Sequence, residues 1–236
     1  MDPGKFSRRR LPETIRFFRF LLPVWAAALS PSLGAQTDES VSGLDGSGLL
    51  ERFLEETITL RAGFRQELWD SDGQLIETAT GTLWLQRPNR FLWNYREPFE
   101  QLVVADGSNL WIYDVELGQA TVSPLDEPIA ATPAMLLSGD QAVRDGFEVL
   151  ESFNADEMEW VRLAPKLEGT DFSAVLIGFR AGLLASLELV DGLDQVTLIQ
   201  FEEVEVNPAI SEDAFDFSPP EGVDVIGQPG ESGTRR

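Results

Sequence analysis

Between residues 61 and 206 the chain alternates apolar and polar residues with a period of two. Because successive side chains of a β-strand point to opposite faces, this alternation predicts strands with one apolar and one polar face. The turns between the segments contain Gly, Asn and Asp, and the segments read AGFRQELWD, QLIETATGTLWLQR, FLWNYR, EQLVVAD, SNLWIYD, QATVSPL, FEVLESF, MEWVRLAP, FSAVLIGF, LLASLELV and QVTLIQFEEVEV. Roughly ten or eleven strands at this spacing predict an antiparallel barrel or a strongly curved sheet.

A sheet that is apolar on one face must cover that face with another element. One candidate is an amphipathic helix near residues 48–60, for which Ser47 is the predicted N-cap. Its apolar stripe consists of Leu49, Leu50, Phe53, Leu54, Thr57 and Ile58. The other candidate is the segment EPIAATPAMLLSGD at 127–140. These two covers allow either a closely packed core or a cavity with a lid.

The segment QRPNRFLWNYREP at 86–98 combines aromatic rings with guanidinium groups. In a strand over 90–96, the rings point to one face and the polar side chains to the other. The predicted inner face carries Phe91, Trp93 and Tyr95, and the outer face carries Arg90, Asn94 and Arg96.

Arg87 is the exception in this segment. Leu83, Leu85 and Arg87 share one parity, so Arg87 continues an inward-facing row where Pro88 ends the strand. A guanidinium at the rim of an apolar concavity needs acceptors, and backbone carbonyls at a helix end or in a loop suit its donors. The alternative is that the parity slips at Pro88 and Arg87 is solvated.

The composition excludes several classes of function. The chain contains no Cys and no His, so it has no disulfide, no thiolate or imidazole metal ligand, and no Ser/His/Asp or Cys/His catalytic site. No cofactor and no metal are predicted. The first 35 residues hold six of the 18 basic and two of the 40 acidic residues, so the remainder has a net charge of −26. Such a surface repels nucleic acid and anionic membrane surfaces.

An enzyme that works with carboxylates alone is a rival interpretation. Its best sites are Asp70-Ser71-Asp72-Gly73 and Asp191-Gly192. Both stretches lie at predicted turns, where Asp and Gly are favoured for their backbone geometry.

The two ends of the chain differ from its body. A basic start followed by the apolar run FLLPVWAAAL predicts an export signal over residues 1–35, and the run is too short for a membrane anchor. Residues 36–47 read as a flexible leader, 48–226 as one domain and 227–236 as a flexible tail.

Several segments resemble one known family in order and spacing: RPNRFLW at 87–93, ADGSNLWIY at 105–113, QAT at 119–121, TPAMLL at 132–137 and FDFSPPEGVDV at 215–225. Together they resemble the outer-membrane lipoprotein carrier protein of Gram-negative bacteria, LolA. The resemblance covers residues 48–226. It implies a fold that is mainly β with some α: an unclosed antiparallel β-barrel whose helices cover an apolar cavity.

The resemblance also implies a function without enzymatic activity. A monomeric periplasmic chaperone would bind the acyl chains of lipoproteins released by an inner-membrane ABC transporter and transfer them to an outer-membrane receptor. The receptor of this system carries a lipid-anchored N-terminal cysteine, and the absence of cysteine here favours the carrier. A carrier or sensor of free lipid or glycolipid with the same fold is the alternative.

The resemblance assigns roles to particular residues. Arg87 would be the latch that holds the lid shut when the carrier is empty. The lid would contain Ile129, Met135 and Leu136. The acyl-chain cavity would be lined by Phe64, Leu83, Leu85, Phe91, Trp93 and Tyr95.

Overall fold

The computed structural model describes residues 43–125, 133–138, 146–166 and 172–230. All of them belong to one compact unit. Within them the helices are α1 (Gly46–Glu56), α2 (Pro133–Ser138) and a 3₁₀ turn at Glu212–Phe215. The strands are β1 (Thr59–Trp69), β2 (Leu75–Gln86), β3 (Arg90–Glu97), β4 (Gln101–Asp106), β5 (Asn109–Asp114), β6 (Gln119–Pro124), β7 (Phe147–Ala155), β8 (Met158–Pro165), β9 (Phe172–Arg180), β10 (Leu183–Asp191), β11 (Val196–Val206) and β12 (Asp224–Gly227).

These twelve described strands form one sheet in the order β12-β6-β5-β4-β3-β2-β1-β11-β10-β9-β8-β7. Every pairing is antiparallel except that of β12 with β6, which is parallel. β12 and β7 lie at opposite edges and do not pair with each other, so the sheet is unclosed. The predicted unclosed antiparallel sheet is confirmed, with twelve described strands where the alternation indicated roughly ten or eleven.

The sheet has two distinct ends, which the strand registers define. At the hairpin end, the chain turns between β1 and β2, between β3 and β4, and between β5 and β6. At the opposite end, β1 begins and the turn 87–89 joins β2 to β3. We call this the helix end, because the backbone N–H of Arg87 bonds Ile58 just after α1, and that of Asn89 bonds Ser138 in α2.

Helix α1 covers the inner face of the sheet with its apolar side. Leu49, Leu50, Phe53 and Leu54 are buried, and the Phe53 ring packs 6.1 Å from that of Phe179 in β9. This confirms the apolar stripe except at Ile58, which lies beyond the helix and is 58% exposed. Thr57 is buried and is the C-cap of the helix.

Helix α1 begins at Gly46, two residues earlier than predicted, and its N-cap is Asp45 rather than Ser47. The Asp45 carboxylate accepts a hydrogen bond from the Gly48 N–H, while Ser47 bonds Ser152 of β7 through its backbone N–H. The last residues of the predicted leader therefore belong to the helix.

The first residues of the segment predicted as a flexible tail, 227–230, lie within the described part of the chain. β12 extends to Gly227, and the Gly230 N–H donates to the Asn109 side chain over 2.8 Å. Residues 231–236 lie outside the described part of the chain.

Among the described residues, no helix is long and apolar enough to cross a membrane.

Candidate functional site

The inner face of the sheet carries a cluster of aromatic rings near the hairpin end. The Phe64 ring of β1 packs against Trp93 and Tyr95 of β3, with centroids 4.7 Å and 5.2 Å apart. Phe201 of β11 completes the cluster, 6.3 Å from Trp93. Gly81 of β2 makes room for it, because a Cβ at that position would stand 2.7 Å from the Phe64 ring.

The six residues predicted to line an acyl-chain cavity do lie together on this inner face. Leu83, Leu85 and Phe91 are fully buried, Phe64 and Trp93 are nearly so, and Tyr95 packs against the same core while partly exposed. In this structure they touch other side chains of the core. An acyl chain bound among them would therefore have to displace side chains or the helices that cover them.

Arg87 points to the inner side at the helix end, as its parity predicts. Its Nη1 donates to the Thr57 carbonyl over 3.3 Å, and its Nη2 donates to the Leu137 carbonyl over 2.8 Å. Its guanidinium carbon lies 4.7 Å from the centre of the Phe53 ring. One side chain therefore connects the C-terminal ends of α1 and α2 to the turn between β2 and β3.

The charge of Arg87 suits this position. Carbonyls at a helix C-terminus have no partner within the helix and carry the negative end of its dipole. Two planar guanidinium donors can bind two such carbonyls at once, and an aromatic face beneath adds a cation–π contact.

The residues predicted for the lid are only partly described. Leu136 lies in α2, is buried and belongs to the core, as does its neighbour Leu137. The backbone of Met135 lies in α2, and Ile129 falls outside the described residues. Sequence reasoning did not name Thr57 or Leu137 as partners of Arg87. Both contribute backbone carbonyls, which every residue has, so no side-chain signal could have found them.

A pocket of about 360 Å³ opens at the hairpin end. Tyr95 and Gln66 line it, and the Tyr95 hydroxyl donates to the Gln66 side-chain oxygen over 3.1 Å. Burial, and secondarily the negative charge of Glu77, raise the pKa of Tyr95 to about 12. The pocket also carries four carboxylates, from Glu77, Glu97, Asp114 and Glu116. Sequence reasoning missed the pocket because its lining residues come from the strands β1 to β5 and from the turns between them.

The two Asp-rich stretches considered for an enzyme are turns in the structure. The Asp70 carboxylate accepts from the backbone N–H groups of Asp72 and Gln74, and that of Asp191 accepts from Leu193 and Gln195. No cluster of three or more potential metal-ligating side chains occurs among the described residues.

Comparison with known proteins identifies the family. Residues 55–218 match the family model described as "Outer membrane lipoprotein carrier protein LolA". The chain belongs to this family. It is 40% identical over 178 residues to an outer-membrane lipoprotein carrier protein from Nitrosomonas europaea, covering 75% of this chain and 86% of that one. It is 41% identical over 187 residues to one from Halorhodospira halophila, covering 79% and 88%.

A crystal structure of a LolA superfamily protein from Nitrosomonas europaea is also similar, at 12% identity and a TM-score of 0.44, covering 74% of this chain and 99% of that one.

Proposed function

We propose that this protein is a periplasmic carrier that binds the acyl chains of lipoproteins released from the inner membrane and transfers them to an outer-membrane receptor. Its donor would be an ABC transporter of the inner membrane, and the protein would catalyse no reaction. Membership of the LolA family and the names of the relatives support this proposal.

The observation that carries the proposal is the position of Arg87. It connects two helices to each other and to the β2–β3 turn, across the apolar inner face of an unclosed sheet. Lifting the helices would break one hydrogen bond from Arg87 to the C-terminal end of each helix and would expose the apolar side chains that α1 and α2 bury against the sheet. We therefore assign Arg87 the role of latch and α2 with α1 the role of lid.

The energetics of acyl chains explain why a carrier needs such a latch. Burial of a CH₂ group contributes about 0.8 kcal/mol, so three chains of some fifteen methylenes would gain roughly 36 kcal/mol if they were fully buried. That exceeds the range of any reversible complex, which ends near 18 to 21 kcal/mol. A carrier that must release its cargo has to bury the chains incompletely or offset their burial by breaking contacts of its own closed state.

The interior described above fits that requirement. Phe64, Leu83, Leu85, Phe91 and Trp93 are buried against protein side chains, so the closed state already satisfies its own apolar surface. An incoming chain replaces these contacts, and only the difference between the two states remains as binding free energy.

A reconstituted release assay tests the proposal. Proteoliposomes that hold the lipoprotein-releasing ABC transporter and a triacylated lipoprotein are supplied with ATP and the mature protein. We expect the acylated lipoprotein to appear in the soluble fraction as a complex with this protein. The matched control is the same lipoprotein with its acylated cysteine replaced by serine, which should not form the complex.

Formation of the complex with the unacylated control, or no complex with either, would contradict the proposal. Mass spectrometry of the protein purified from periplasm separates it from the alternative function. Bound triacylated protein supports the lipoprotein carrier, whereas free lipid alone would support a free-lipid carrier.

A further inference from the structure

One polar group in the apolar interior has no hydrogen-bond partner within the part of the chain that the structure describes. It is the indole N–H of Trp93, whose side chain is only 2% exposed. Buried tryptophan N–H groups are normally paired, because an unpaired donor loses its bond to water without replacement. A buried donor without a partner is available to an acceptor that a ligand would supply.

The surroundings of this N–H show where such an acceptor would lie. Three rings, those of Phe64, Tyr95 and Phe201, pack around the indole. The N–H faces the Tyr95 hydroxyl without reaching hydrogen-bond geometry, and its presence offsets part of the rise in the pKa of Tyr95. The Tyr95 hydroxyl itself donates its hydrogen bond to the Gln66 side-chain oxygen. Trp93, Tyr95 and Gln66 therefore form a polar spot at the hairpin end of an otherwise apolar interior.

The hairpin-end pocket borders this polar spot. Tyr95 and Gln66 belong both to the pocket wall and to the polar spot, and Trp93 lies two residues further along β3 toward the helix end. Beyond it, on the same face, the side chains of Leu83, Leu85 and Phe91 are fully buried and purely apolar. The inner face thus changes from polar to apolar along the strand direction, as an amphipathic lipid does along its length.

We propose that the Trp93 N–H donates to an ester carbonyl of the bound lipid, whose head group occupies the hairpin-end pocket while its acyl chains extend toward the helices. This inference rests on the proposed function and assigns a polar subsite to it. The four carboxylates of the pocket would also discriminate between head groups by charge. They repel a phosphate group but not the uncharged thioether link of a lipid-modified cysteine. The site therefore selects an ester-linked diacylglyceryl group without phosphate.

The first test compares two probes with wild-type protein and variants. One probe is a dipalmitoylglyceryl-cysteinyl peptide with two ester bonds, and the other is its diether analogue, which lacks the carbonyls. We expect the wild type to bind the diester about tenfold more tightly, which corresponds to about 1.4 kcal/mol, the size of one hydrogen bond. We expect Trp93→Phe to abolish this preference.

The control for this test is Trp111→Phe. Trp111 lies on the opposite face of β5 from Ile112 and donates to the Asp106 carboxylate, so its loss should leave the ester preference intact. Because Trp93→Phe also removes volume from the core, replacement of Trp93 by benzothienylalanine, which exchanges the N–H for sulfur, provides a variant of nearly constant size. Equal binding of the two probes by the wild type, or a preference that persists in both Trp93 variants, would overturn the inference.

The second test concerns charge. We expect phosphatidylglycerol with the same two palmitoyl esters to bind at least tenfold more weakly than the diester peptide. The difference in affinity between the two lipids should become smaller when the pocket carboxylates are neutralised. The neutralising substitutions are Glu77→Gln, Glu97→Gln, Asp114→Asn and Glu116→Gln. The control removes the same charge at four exposed sites outside the pocket: Glu202, Glu203, Glu205 and Glu221.

Equal affinities for the two lipids, or equal effects of the two sets of neutralisations, would refute the head-group assignment. These outcomes are distinct from failure of the proposed function. In that case the wild type would bind neither probe and would not release lipoprotein from proteoliposomes.

Discussion

As the proposed latch, Arg87 would set the balance between a closed and an open arrangement of the helices. In this structure its guanidinium binds the carbonyls of Thr57 and Leu137 and lies over the Phe53 ring. A hydrogen bond to a charged group contributes about 1.5 to 3 kcal/mol. The combined free energy of two such bonds is comparable to or larger than the few kcal/mol that separate alternative conformations of a protein. Loss of this side chain can therefore decide whether the helices stay in place.

Replacement of Arg87 by leucine should therefore favour the open state. We expect Arg87→Leu to bind acylated lipoprotein more tightly and to transfer it poorly to the outer-membrane receptor, because release no longer regains the latch contacts. Transfer between the purified proteins measures this effect. Arg96→Leu, which removes an exposed guanidinium from β3, the strand that follows the turn with Arg87, is the matched control, and transfer by Arg87→Leu at the wild-type level would rule out the latch.

Tyr95 gives a second prediction, on pH. Its pKa rises to about 12 in the folded protein, against 10.0 for an unperturbed tyrosine, chiefly through burial and then through Glu77. The folded state thus favours the neutral form, so the stabilisation is complete below pH 10 and is lost as the pH rises toward 12. This difference in pKa corresponds to about 3 kcal/mol of stability.

Denaturant unfolding between pH 9 and pH 12 measures this loss. The chain has two tyrosines, so Tyr113→Phe is the natural control and should keep the full decline in stability. We expect Tyr95→Phe to be less sensitive over the same range. If the two variants decline equally, the burial of the Tyr95 hydroxyl does not govern the stability of the protein at high pH.

At the scale of elements, α1 depends on one close approach. Gly46 faces β8 so closely that a Cβ would stand 2.2 Å from the Trp160 carbonyl oxygen. Further along the helix, Arg52 donates to the Gly182 carbonyl over 2.9 Å. The N-terminal end of α1 is therefore fixed by backbone contact, and its C-terminal end is connected to Arg87.

A methyl group at Gly46 should displace this end of the helix. We expect Gly46→Ala to lower the free energy of unfolding by about 1 to 3 kcal/mol, since the obstructing atom is backbone and cannot rotate away. Gly48→Ala, in the same helix, meets only side-chain atoms, of Leu44 and Asp45, and none closer than 3.1 Å, so it should be neutral or stabilising by up to about 1 kcal/mol. Thermal unfolding of both variants checks this, and an equal response would show that the approach at Gly46 is not limiting.

The elements that sequence predicted best are those whose pattern is local. The period of two predicted roughly ten or eleven strands and the two faces of β3, because alternation needs no knowledge of distant residues. β12 was not predicted, because all four of its residues are exposed and show no apolar alternation. Its strand conformation comes from parallel pairing with β6. The start of α1 was misplaced because Asp45 and Ser47 are both good N-caps, and the contacts of Gly46 and Ser47 with distant strands decide between them.

In the candidate site too, the features that a local pattern encodes were predicted, and those that depend on distant residues were not. The inward direction of Arg87 and of the aromatic rings followed from parity, and the latch role followed from the family resemblance. The acceptors of Arg87 lie 30 and 50 residues away along the chain, and the hairpin-end pocket joins the ends of several strands. Such contacts depend on the curvature of the sheet, which no local pattern encodes.

At the scale of the whole molecule, the dominant feature is charge. Beyond the predicted signal the net charge is −26, and the ion pairs among the described residues include Arg52–Glu56, Arg65–Glu67 and Arg162–Glu151. Like charges on a compact surface repel one another and destabilise the folded state.

Salt should therefore stabilise this protein. At 0.1 M ionic strength the screening length is about 10 Å and at 1 M about 3 Å, so most of the repulsion disappears over this range. We expect the midpoint of thermal unfolding to rise steadily between 0.05 and 1 M sodium chloride. A midpoint that falls would mean that attractive pairs outweigh the general repulsion.

The unclosed sheet has a mechanical consequence. In a closed barrel the interior can expand only by breaking the ladder of hydrogen bonds between neighbouring strands. Here β7 and β12 are not paired, so the curvature of the sheet can change while every strand keeps its hydrogen-bonded neighbours. The interior volume is then adjustable at low cost, and one carrier can accommodate cargo of different bulk without a change in its strand pairing.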